Sequence, residues 1–91
     1  MSTLKKTDEM QDTFLNLKLH TIVHVPIIVV YYNPLDYPNK YVARLWDINS
    51  KPTRFVMVKN DIGTIRGNIP AGMVKFLRSV NDDPAIVETW L

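Results

Sequence analysis

The sequence predicts a small α+β domain: a mainly antiparallel sheet of about four to six strands, one helix packed across it, and an N-terminal arm or short helix. Three observations lead there. Short β-branched and aromatic runs recur between turns rich in Asn and Pro, one stretch alone places its isoleucines at helical spacing, and 91 residues with 46% hydrophobic content suffice for one core. Residues 1–13 read as the arm or short helix and 14–91 as a single α+β domain.

In chain order, Thr7 is placed to cap a helix with Asp8 and Glu9 in its first turn, where carboxylates suit the positive end of the helix dipole. Met10, Phe14 and Leu17 would share a face of it. Leu15, Leu17 and Leu19 alternate instead with Asn16, Lys18 and His20, which is strand periodicity. The expectation is therefore an arm or short helix ending near Thr13, then a strand running towards His24. Pro26 interrupts that strand. Ile27–Tyr32 is apolar throughout, as a strand covered on both faces would be, and is expected at the centre of the sheet.

Residues 33–39, with two prolines and two asparagines, form a turn-rich loop. Tyr41–Ile48 reads as the next strand, and Arg54–Lys59 returns from a turn at 49–52 as its antiparallel hairpin partner. Asn60 or Asp61 caps a helix of about three turns, and Ile62, Ile65 and Ile69 give it one apolar face. Gly63 and Gly67 each cost such a helix ~1 kcal/mol, so packing must hold it. Pro70 ends it. Met73–Arg78 and Ala85–Leu91 follow as strands around a turn at 81–84, where Asp82 and Asp83 read as turn formers.

One helix covers one face of such a sheet. The strand at Tyr41 nevertheless carries large side chains on both faces, with Tyr41, Ala43 and Leu45 opposed to Val42, Trp46 and Ile48. An apolar second face needs a cover: the arm, a second copy of the chain, or a partner.

The net charge is only +2, but it is unevenly spread. Residues 1–39 carry three lysines against four carboxylates, residues 40–78 eight bases against Asp47 and Asp61, and the remainder three carboxylates and no base. A basic middle between acidic ends either binds a polyanion or is neutralised by its own termini. The absence of cysteine excludes disulfides, thiolate metal sites and a cysteine nucleophile. With no apolar run of membrane-spanning length and no secretory h-region at the start, a soluble, cytoplasmic protein is expected, with no membrane association.

The constellations that carry chemistry are sparse. His20 and His24 would stand ~13 Å apart on a strand, too far to share an ion, so no metal is expected. The glycines at 63, 67 and 72 fall inside or after the helix rather than before it, which is not a phosphate-binding arrangement, and no cofactor is expected. An enzyme would need Asp36, Glu88 or a histidine as acid/base; no catalytic set is recognisable, and the reading leans away from catalysis. Glu88, alternating with Ile86 and Trp90, is expected to pair with a base such as Arg44 or Arg78.

The leading expectation is a small non-catalytic interaction protein, a regulator, inhibitor or accessory subunit, that binds a protein partner or itself, most simply as a homodimer, through a sheet face or edge. Tyr37, held between two prolines, and the terminal Trp90 and Leu91 are its interface candidates. The alternative is a single-stranded nucleic-acid binder in which Tyr41, Trp46 and Phe55 stack on bases while Arg44, Arg54 and Lys59 meet phosphates.

Overall fold

The apolar run beginning at Pro26 has no polar position to offer to water, and it lies inside the sheet. In a computed structural model that describes residues 8–49, 51–79 and 83–91, the elements are β1 (Glu9–Met10), α1 (Leu19–Ile22), β2 (Pro26–Tyr32), β3 (Tyr41–Asp47), β4 (Lys51–Lys59), α2 (Ile62–Gly67), β5 (Lys75–Leu77) and β6 (Ile86–Trp90). The six strands form one sheet in the order β1-β4-β3-β2-β6-β5, antiparallel except for the β1–β4 pair. Strand β2 is flanked by β3 and β6, as its composition requires.

The expected α+β class holds, with differences of detail. No strand forms over 14–24. Residues 14–18 turn and α1 follows, because Phe14, Leu19 and Val23 are all buried in the same core while Leu15 is half exposed, a spacing that a strand cannot satisfy. Helix α2 has six residues rather than three turns. Asp61 caps it, accepting from the Thr64 amide at 2.8 Å, and Asn68 closes it by donating its side-chain amide to the Thr64 carbonyl. Ile69 remains buried beyond the helix end. The cap proposed at Thr7 and the turn role of Asp82 lie outside the described residues.

The two sheet faces have different fates. Residues Ile28, Val30, Ala43, Leu45 and Met57 lie on the first face and pack with Phe14, Leu19, Val23, Ile65 and Ile69, which come from the 14–23 segment and the α2 region. On the second face, Val42 and Val56 are also buried, at 2% and 0% exposure. The loop 33–40 contributes to that side. Asn33 and Asn39 both take left-handed backbone (φ 56° and 62°), which asparagine tolerates, and Asn39 donates its amide to the Asn33 side chain at 2.7 Å. The loop is thereby folded back, and Tyr37 reaches Asp8 of the arm.

One irregularity shapes this second face. Arg44 pairs with Val56 but Trp46 pairs with Pro52, so β4 carries two extra residues opposite Leu45. Thr53 fills the gap in the ladder: its hydroxyl donates to the Leu45 carbonyl at 2.7 Å and accepts from the Phe55 amide at 3.1 Å. No helix among the described residues is long and apolar enough to cross a membrane.

Candidate protein interface

Strand β5 ends the sheet. It pairs with β6 on one side and with nothing on the other among the described residues. Just before it, Val74 exchanges both backbone hydrogen bonds with Leu91, at 2.7 and 3.0 Å. Antiparallel alternation then gives Phe76 the next inward pair, with Thr89, and turns the N–H and C=O groups of Lys75 and Leu77 outward. This edge is apolar: Val74, Phe76 and Leu77 are 60%, 52% and 78% exposed, and Leu91 beside them is 45% exposed. Phe76 lies on the second face and Lys75 and Leu77 on the first.

The edge has a rigid base. Opposite Leu77 on β6 stands Glu88, completely buried, whose carboxylate accepts from Arg66 Nε at 3.2 Å, from Arg66 Nη2 at 2.8 Å and from the Trp90 indole at 3.0 Å. Burial opposes its charge, but these hydrogen bonds and the nearby Lys75 hold its carboxyl below the usual range. The expected partner, Arg44 or Arg78, is replaced by Arg66: Arg44 lies on the opposite face of the sheet, whereas Arg66 reaches Glu88 from α2 on the first face. This carboxylate is closed to solvent and its oxygens are engaged by Arg66 and Trp90.

No protein-family model, no curated protein and no solved structure matches this chain.

Of the interface residues expected from the sequence, Leu91 alone joins the exposed patch. Trp90 is half-buried, packed against the core and hydrogen-bonded to Glu88. Strand β6 has no free edge, being paired with both β2 and β5. Tyr37 is half-buried, with its hydroxyl donating to Asp8 Oδ2 at 2.8 Å. Burial and then that hydrogen bond push its phenol up to about 12.

The six nucleic-acid candidates split three and three. Tyr41, Phe55 and Lys59 lie on the first face, where Tyr41 and Phe55 pack against the core and Tyr41 tilts against Tyr32 with ring centroids 4.7 Å apart. Arg44, Trp46 and Arg54 lie on the second face around a cleft of about 540 Å³. There Arg44 is already engaged: Nη1 and Nη2 bind the Asp8 oxygens at 3.0 and 3.2 Å, Nη1 also donates to the Thr53 carbonyl at 2.7 Å, and Asp36 stands at 3.9 Å. The basic middle of the chain is here neutralised by its acidic N-terminal region.

His20 and His24 flank a shallow surface with Asp47, whose carboxylate accepts from the backbone amides of His24 and Val25 at 3.2 and 3.5 Å. The strand geometry assumed for the two histidines is not formed. No group of three or more candidate metal ligands occurs among the described residues.

Phe76 and Leu77 were legible as strand residues, but their value at an interface depends on strand order. Two large apolar neighbours on opposite faces of a strand three residues long are the one local signal.

Proposed function

We propose that this protein is a non-catalytic interaction protein that pairs with a second copy of itself by strand addition at the β5 edge. The exposed, apolar, singly paired strand Lys75–Leu77 carries the reading. An unpaired edge presents a row of backbone donors and acceptors as a template for another strand, and native proteins ordinarily block it with charge, proline or bulges. The only charge within β5 is Lys75, which lies near enough to Glu88 to favour its ionised form.

The edge is self-complementary. With a two-fold axis at Phe76, the outward groups of Lys75 face those of the partner's Leu77 and exchange hydrogen bonds, and the reverse pair does the same. Phe76 then meets its own copy as a close non-hydrogen-bonded pair on the second face, an arrangement that favours aromatic contact. The nucleic-acid reading has less support, since its six residues are divided between the two faces of the sheet.

Light scattering behind a sizing column tests the reading. The wild type is expected at twice its 10.5 kDa chain mass, and Phe76→Asp at the chain mass with its cooperative unfolding retained. A monomeric wild type at high micromolar concentration, or a dimer unaffected by Phe76→Asp and Leu77→Lys, contradicts it.

A further inference from the structure

The opposite edge of the sheet is closed by a strand that behaves as a bound ligand does. Strand β1 has two residues, pairs with β4 alone, and pairs in parallel, the less stable arrangement per residue. Both its residues are exposed, with Met10 at 54%. Very little apolar burial therefore holds it.

What holds it is charge and backbone. Asp8 sits in the fork of Arg44 and takes a third hydrogen bond from Tyr37. Glu9 meets Arg54 at 3.3 Å, and the Gln11 amide donates to the Val56 carbonyl at 2.7 Å. A planar guanidinium gripping a carboxylate with both nitrogens, beside a second arginine and an open strand edge, is how extended acidic peptides are recognised. Trp46 and Tyr31 line the adjoining cleft, with the buried Trp46 indole N–H beside the Tyr31 phenol, so the Trp46 ring stands next to both seats.

We infer that Asp8–Met10 occupies in cis a docking site on β4 for an extended acidic segment of a partner protein, whose paired carboxylates replace Asp8 on Arg44 and Glu9 on Arg54. The arm is then an autoinhibitory contact: a partner competes with an intramolecular strand that is weak but always present. This site is independent of the β5 edge and stands or falls separately.

The probe is an acetylated, amidated hexapeptide with the sequence of residues 7–12, and the readout is the Trp46 indole N–H resonance, with that of Trp90 as internal reference. On the wild type, millimolar peptide is expected to shift the Trp46 signal and leave Trp90 unmoved. In the double variant Asp8→Ala/Glu9→Ala, which frees both seats, the same peptide is expected to bind at least ten-fold tighter. A peptide in which the carboxylates corresponding to Asp8 and Glu9 are converted to amides is expected to bind neither protein. No shift of Trp46 in the wild type at millimolar peptide, or equal binding of the carboxylate and amide peptides, overturns the inference. Should the double variant fail to fold, the wild-type shift and its amide control decide alone. A concentration-dependent dimer that survives Phe76→Asp and is lost in the double variant also overturns it, by assigning the seat to the arm of a second copy.

Discussion

The two edges of this sheet are built on opposite principles. At the β1 edge a short strand hangs on charge: a buried ion pair at Asp8 and a half-exposed one at Glu9 hold a strand whose own two residues are exposed. At the β5 edge the strand is apolar and exposed among the described residues, but the ground beneath it is fixed by a carboxylate with zero exposure, gripped by Arg66 and Trp90. Each edge is braced by an arginine–carboxylate fork, yet the bracing serves different ends. On the proposed reading, an apolar edge that is unpaired among the described residues and fixed at its base suits a lasting contact, because little freedom remains to be lost when a partner arrives. A loosely hung, charged edge suits exchange.

Substitutions at the two forks should separate these roles. Glu88→Ala has the largest expected effect on stability. It removes a buried acceptor and leaves the Trp90 indole unsatisfied, whereas Arg66, 42% exposed, can turn to water. The expected loss is roughly 2–3 kcal/mol, below the ~3–5 of a fully buried broken pair because solvent relieves the arginine. Denaturant unfolding checks it, and an accompanying loss of dimer would tie the β5 edge to its base. Asp8→Ala, by contrast, should cost about 1–2 kcal/mol and leave the dimer intact. Equal losses at the two sites would erase the distinction between a fixed and an exchangeable edge.

Titration sharpens the same contrast. Asp8 and Glu88 are both held below their ordinary pKa, so the stability they add is present above their unfolded values near ~4 and is lost as pH falls through the folded ones. Wild type and Glu88→Gln should therefore converge in stability in acid. Tyr37 works in the other direction. Its raised phenol favours folding below about pH 10 and loses that contribution as pH rises towards about 12. Tyr37→Phe should cost roughly 1 kcal/mol at neutral pH, and the gap from wild type should close across that alkaline window. A constant gap would mean that the hydroxyl does not bond Asp8. The smallest effect belongs to Arg54→Gln, which breaks an ion pair 61% and 46% exposed at its two ends and should cost less than ~0.5 kcal/mol.

Local pattern in the sequence was enough for β2, β3, β6 and the buried face of α2, because each is a run whose periodicity its own environment satisfies. It misled at 15–19. Leu15, Leu17 and Leu19 alternate as a strand would, yet the segment turns, since Phe14 and Val23 must reach the same core from its two ends. The rest depended on pairings that no local pattern encodes. Asp8 and Arg44 are 36 residues apart and Arg66 and Glu88 are 22 apart, and both meetings follow from strand order. The same order moved the sheet edge from β6 to β5, which leaves Trp90 half-buried and puts Phe76 and Leu77 beside the exposed Leu91.

Amide hydrogen exchange along β5 tests the strand-addition account most directly. At concentrations where the dimer forms, the amides of Lys75 and Leu77, which point away from β6, should be as protected as that of Phe76, which points towards it, and should lose that protection on dilution. If Lys75 and Leu77 exchange like open loop residues while the protein runs at twice its chain mass, the copies meet elsewhere and the account is wrong.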